Sequence, residues 1–250
     1  MEPPSELFTF LTEFSEKHSP LDFMLILKHW DLFLRGVGNT VALLVFPLTL
    51  STIIAVPLAI IRAQRVPVLN GMISGYIYLF RGTPLLVQLY LLYYGVAQFE
   101  FIRQSFLWPL LREPWWCAFI SFTLCAAAYT AEIFRGGIES VPFGEVEAAK
   151  ACGMSHLQRL RRIVLPSAFR TTLPAFSNEV IFNLHSTVIA STVTIVDILG
   201  AGRQFNNRYY VAFEGFIAAA VLYMTLVYFL TRGFKIWENR WHRHLRPRDA

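Results

Sequence analysis

The chain has 250 residues, 55% of them hydrophobic and only 16% charged, with a mean hydropathy of +0.45 and a formal net charge of +5. Soluble domains carry roughly a quarter of their residues as charges, so these values exclude an ordinary soluble enzyme and indicate an integral membrane protein. The positive balance does not imply nucleic acid, because the cations fall in loops and the tail, where orientation by the positive-inside rule requires them.

Residues 1–36 read as a pre-membrane tail, in which Pro3, Pro4, Ser15, Glu16 and Lys17 interrupt any long apolar run. No basic segment precedes an apolar core there, so no cleavable signal peptide is expected. Within the tail, Phe23, Leu27, Trp30 and Leu34 recur at helical spacing and predict an interfacial helix over 21–34. Residues 37–61 are free of charge and exceed the roughly 20 apolar residues needed to cross a membrane as a helix. They form the clearest span, bent at Pro47 and Pro57 and ended by Arg62 and Arg65.

A second span is expected within 73–96, which contains Arg81, Gly82, Thr83 and Pro84. A guanidinium at mid-membrane is costly. Either Arg81 snorkels to the inner face, or Pro84 breaks the helix and the guanidinium pairs with a freed carbonyl. Glu100 to Pro114 reads as a polar outer loop, with Trp108, Trp115 and Trp116 suited to the outer interface. The third span, 115–134, brings Glu132 to its inner end with Arg135 just beyond. A cytoplasmic loop occupies 139–170. The fourth span, 173–199, is the richest in polar groups, a short outer loop follows from Gly200 to Tyr210, and a fifth span over 213–230 leads into a basic tail at 235–250.

The apolar runs are continuous and lack strand alternation, so the expected fold class is all-α, a polytopic protein with five transmembrane helices. With the N-terminus outside and the C-terminus inside, fourteen of the 22 Lys and Arg residues fall on the inner side and seven on the outer, with Arg81 inside a span. That twofold excess supports the orientation. No internal repeat suggests the inverted halves of a secondary transporter. Cys117, Cys125 and Cys152 lack C-x-x-C spacing and read as buried thiols, with neither a disulfide framework nor a metal site.

Between Gly144 and Pro166 the chain is polar and cationic, GEVEAAKACGMSHLQRLRRIVLP. Helix formers run from Val146 to Cys152, Gly153 suits a left-handed helix end, and His156 to Val164 can start a second helix. The small faces of Ala148 and Ala149 would let a partner approach closely, and Arg159, Arg161 and Arg162 hold the segment inside. Glu147, Ala148, Ala149, Gly153, Ile163, Leu165 and Pro166 match every fixed position of E-A-A-x3-G-x9-I-x-L-P. That pattern resembles the loop by which permease subunits of ATP-driven (ABC) importers dock on their ATPase. FRGTPLLVQ, and YTAEIFRGGIESVPFGEVEAA from Tyr129, resemble the polar amino-acid branch of that family. PAFSNEVIFNLHST is similar to the subgroup for histidine, lysine, arginine and ornithine, and to its M-type permease. Many members carry Lys-x-Thr-Ser near His185, Ser186 and Thr187, a pattern from which this chain departs.

The resemblance implies a type I importer permease of a bacterial inner membrane, multi-pass, that forms a translocation path for basic amino acids. Its implied partners are a second permease, identical or different, two ATPase subunits, a periplasmic substrate-binding protein and membrane lipid. Another polar amino acid or an opine is the alternative cargo, and a membrane-embedded enzyme the alternative class. Neither G-x-x-x-x-G-K-[ST], H-E-x-x-H nor G-x-S-x-G occurs, so no catalytic residue and no cofactor is expected on this chain, with ATP and Mg on the partner ATPase.

Candidate path residues follow from the cost of burying polar groups in lipid. Glu179 is the foremost, with Asn183 and Ser186 four and seven positions later on its helix face. It suits either a counter-charge for a cationic substrate, or a structural role through Arg81 or a subunit contact. Glu132, with Tyr129 and Arg135, suits a structural polar network more than a ligand. His185 suits a hydrogen bond to a neighbouring helix or a substrate contact. Thr187 and Arg81 complete the set, and Asp197 is a cap or gate near the outer end.

Overall fold

A computed structural model describes residues 23–241 of the chain. The tail expected before residue 23 and the last part of the basic tail, 242–250, lie outside the described residues. Regular structure among the described residues is entirely helical. Short helix α1 (Phe23–Lys28) precedes the long α2 (Trp30–Ala63), so the expected interfacial helix is divided at His29 and its second half belongs to α2. Helix α2 takes Pro47 and Pro57 without interruption. Further along come α3 (Leu69–Gly82), α4 (Leu85–Tyr90), α5 (Glu100–Arg103), α6 (Trp108–Leu111) and α7 (Pro114–Glu139). The last five are α8 (Phe143–Ala151), α9 (His156–Arg159), α10 (Leu165–Ser186), α11 (Ile198–Tyr209) and α12 (Glu214–Trp241).

Three of these, α2, α7 and α12, are long and apolar enough to cross a membrane. A fourth results if the helical run from His156 through Val193 and α11 beyond its break form one interrupted span. The second expected span is not one helix. Thr83 is extended (φ −116°, ψ 143°) and Pro84 starts α4, because the residue before a proline is pushed out of the helical region. Gln88 satisfies the break: its Nε2 donates to the carbonyls of Phe80 (2.9 Å) and Thr83 (3.0 Å) and to the Thr83 hydroxyl (2.9 Å). After α4 the chain widens into a π turn, Leu91–Gly95, and a 3-10 turn, Val96–Gln98.

The described residues divide into two compact units, 23–42 with 187–227, and 43–186 with 228–241. In the second unit α7 is the buried helix. Ala126, Ala127, Ala128 and Ala131 are all almost wholly buried, and small residues let helices approach where no hydrophobic effect drives them together. Its core joins Ala55 and Ala59 of α2, Ile73 and Ile77 of α3, and Ala128, Ala131 and Phe134 of α7. At Gly137 a Cβ would overlap the Thr172 side chain and stand 3.0 Å from the Ala168 carbonyl oxygen, so α7 meets α10 through a glycine.

The first unit is centred on Phe33, Ala201 and Phe205. Here the outer loop expected over 200–210 is instead helix α11. Asp197 caps it, accepting from the Gly200 amide (2.8 Å) and from the Tyr223 hydroxyl (2.8 Å), so the cap reading of Asp197 holds. Gly200 and Gly202 look like loop residues in sequence, yet Gly202 is a packing position. A Cβ on Gly202 would lie 2.5 Å from the Gly215 carbonyl oxygen. Two other departures are local. The polar loop over 100–114 contains the single turns α5 and α6, and α12 continues past the expected fifth span to Trp241, making the start of the basic tail helical.

Candidate functional site

The cationic segment folds as a helix, a tight turn and a second helix. Helix α8 ends at Ala151, and Gly153 takes the left-handed conformation (φ 75°). The Met154 amide donates to the Ala149 carbonyl (3.1 Å) and the Gly153 amide to that of Lys150 (2.9 Å), the paired bonds of a Schellman end. Ser155 then caps α9 in a capping box with Gln158, so both sides of the turn are satisfied locally. The second helix does not stop at Val164. It passes through a π turn, Leu160–Val164, directly into α10, and Ile163, Leu165 and Pro166 lie along this junction, half-buried.

Gly144, Glu147, Ala148, Cys152 and Gly153 are exposed on this element, beside Phe143 (71% exposed) and Leu157 (58%). Large apolar groups and small residues side by side on a polar knob suit a protein partner. Two expectations change here. Ala149 is buried, turned toward the bundle, so of the two alanines only Ala148 is presented outward. Cys152 is exposed, whereas Cys117 and Cys125 are buried; a residue at the helix end faces the turn's open side.

A second polar group gathers around Glu132. Its Oε1 accepts from Arg62 Nη2 (3.0 Å) and Nε (3.3 Å), and its Oε2 from Arg135 Nη2 (2.8 Å) and Nε (3.0 Å). Arg135 also pairs with Glu139 (2.6 Å), and Arg62 reaches Asn70 (3.2 Å) and Ser74. Arg81 approaches Glu132 at 4.0 Å and lies over the Tyr129 ring, 5.0 Å from its centroid. Of the two readings of Arg81, the helix does break at Pro84, but Gln88 rather than the guanidinium takes the freed carbonyls. The network expected from Glu132, Tyr129 and Arg135 is present, with Arg62 as a fourth member that sequence reasoning used only as a topology marker. Charge balance was the signal for it: a carboxylate in an apolar span needs counter-charges from neighbouring helices at the same depth.

Glu179 is buried on α10, where its carboxylate accepts from Asn183 Nδ2 at 2.8 Å. Among the described residues it forms no ion pair with Arg81 or any other cation. Phe182, one turn on, contacts Tyr129 with ring centroids 6.3 Å apart. Asn183 is therefore brought to Glu179 as its position predicts. Ser186 instead donates to its own helix at the Phe182 carbonyl (2.9 Å). His185 is exposed and takes no side-chain hydrogen bond among the described residues, so the bond expected to a neighbouring helix is not formed among them. Thr187 belongs to the other unit, where its buried hydroxyl lies 3.3 Å from that of Tyr223. No cluster of three or more His, Cys, Asp or Glu suited to a metal occurs among the described residues.

Residues 55–243 match the family described as binding-protein-dependent transport system inner membrane component. The octopine transport system permease protein OccM of Rhizobium radiobacter is 44% identical over 219 residues, covering 88% of this chain and 89% of that one. The histidine/lysine/arginine/ornithine transport system permease protein HisM of Escherichia coli K12 is 43% identical over 213 residues, covering 85% and 90%. Among solved structures, an amino acid ABC transporter crystallised with histidines matches with a TM-score of 0.78 and 29% identity, over 88% of this chain and 99% of that one. The matched region takes in the turn at Gly153, the Glu132 cluster and Glu179, and the chain belongs to the family of binding-protein-dependent transport system inner membrane components.

Proposed function

We propose that this chain is a transmembrane permease subunit of an ATP-driven importer for basic amino acids, in a bacterial inner membrane. It pairs with a second permease, receives substrate from a periplasmic binding protein, and is driven by two ATPase subunits that carry ATP and Mg. Five crossings, with the N-terminus outside and the C-terminus inside, put the knob of α8 and α9 on the ATPase side. The carrying observation is that knob: a satisfied helix–turn–helix with Gly144, Glu147, Ala148 and Gly153 exposed, continuous through Ile163, Leu165 and Pro166 with the helix that bears Glu179. Displacement of the knob is then displacement of α10, which is what a bistable bundle biased by ATP requires.

Relatives bearing basic amino-acid names and the buried carboxylate of Glu179 support cationic cargo. A second reading, an opine permease, is favoured by the octopine system relative. The test is reconstitution with the second permease and ATPase subunits, comparing ATP-driven uptake of arginine, histidine and octopine for wild type and Ala148→Trp. A tryptophan on the exposed Ala148 face should abolish ATPase association and uptake while leaving thermal unfolding unchanged. Normal association and uptake in that variant would refute the docking role.

A further inference from the structure

A cavity of about 520 Å³ opens beside the Glu132 cluster, lined among others by Arg62, Ser74, Tyr78, Arg81, Tyr129 and Glu132. Its volume lies within the range of small-molecule sites. The five charged groups of the cluster are three guanidiniums and two carboxylates, so it carries one positive charge in excess. The three cations are not equivalent. Arg62 and Arg135 are fully engaged: both grip Glu132 through two nitrogens, and they add Asn70, Ser74 and Glu139. Arg81 donates no hydrogen bond among the described residues, its side chain is 43% exposed, and the face of Tyr129 holds it in place. Glu132 cannot draw it closer, since both carboxylate oxygens already accept twice.

An engaged hub that leaves one oriented, cavity-facing guanidinium is a receptor for a carboxylate, which a guanidinium binds through two parallel hydrogen bonds. From these contacts the geometry points to Arg81 as the residue that takes the α-carboxylate of an amino-acid substrate. Resting on the transport reading above, this gives two-point recognition within one unit. Arg81 takes the group common to every amino acid. Glu179, on the helix whose Phe182 contacts Tyr129, takes the part that differs between them. Arg81 is therefore specific for the carboxylate and indifferent to the side chain.

The test is direct calorimetric binding to the permease–ATPase complex in nanodiscs without the binding protein, so that only the permease site is read. L-arginine is compared with agmatine, the same molecule without its carboxylate, for wild type, Arg81→Gln and Arg81→Lys. Loss of a bidentate charge-assisted contact predicts about 10- to 100-fold weaker arginine binding in Arg81→Gln. Agmatine should stay within about 2-fold of wild type, and Arg81→Lys should recover part of the loss. Equal weakening of both ligands, or no weakening of arginine, overturns the assignment. If wild type instead binds a neutral amino acid and Arg81→Gln abolishes that, the basic-cargo reading falls and the carboxylate contact stands. A wild type that binds no amino acid removes both.

Discussion

Replacing Gly153 separates the shape of the turn from the space around it. Gly153 has φ 75°, and a Cβ built there meets nothing within 4 Å. A side chain therefore costs only the left-handed backbone conformation, about 1–2 kcal/mol for an L-residue. That corresponds to a shift of about 5- to 30-fold against the native turn. Asn visits this region far more readily than Ala, and Val least of all. Uptake of radiolabelled arginine by reconstituted vesicles should fall in the order Gly, Asn, Ala, Val, with Asn near wild type and membrane insertion equal throughout. If Asn were as damaging as Val, size rather than backbone hand would be the determinant, and the reasoning from φ would fail.

Cys152 is the exposed thiol, so a membrane-impermeant maleimide should label it in inverted vesicles and not in right-side-out ones; labelling from the outer side would overturn the proposed orientation. Glu132→Gln leaves three guanidiniums around a neutral amide and should destabilise the detergent-solubilised protein by about 2 kcal/mol, less than a fully buried pair costs because the partners keep some water contact. An unchanged unfolding midpoint would show that the cluster contributes no stability. Glu179→Gln should reduce lysine and arginine uptake by about 10-fold, the worth of a charged hydrogen bond, while sparing a neutral substrate. Equal losses would assign Glu179 a structural role.

Much of this architecture is legible in the residues, and the gaps have physical causes. The apolar runs at 37–61 and 115–134 lie wholly within helices, and that at 213–230 does so from Glu214 onward, because a charge-free stretch of that length has few other solutions in lipid. Helix ends are read less well. Glu139 and Trp241 extend their helices into polar sequence, where ion pairs such as Arg135 with Glu139 replace apolar burial. Pro84 signals a break correctly, but the identity of its compensating group, Gln88, depends on a side chain folding back to Thr83 and Phe80, five and eight residues earlier. Gly200 and Gly202 mislead because glycine marks loops and close helix contacts equally. The turn at Gly153 is plain from spacing alone, whereas the inward face of Ala149 needs the bundle behind it. Arg62 joins Glu132 across 70 residues, a pairing that no local pattern contains.

The uninterrupted run from His156 to Ser186 constrains how this protein can vary. Each α-helical residue turns the side-chain direction by about 100° and advances it about 1.5 Å. One inserted residue between the Gly153 turn and Glu179 would swing that carboxylate to a different face while leaving the turn itself intact. The π turn at Leu160–Val164 is the usual way a helix absorbs one extra residue, and it is already in use. Register, rather than composition, thus ties the knob to the buried carboxylate. Substitutions along the rod can be tolerated wherever packing permits, but a change in its length requires a compensating change elsewhere in the same rod.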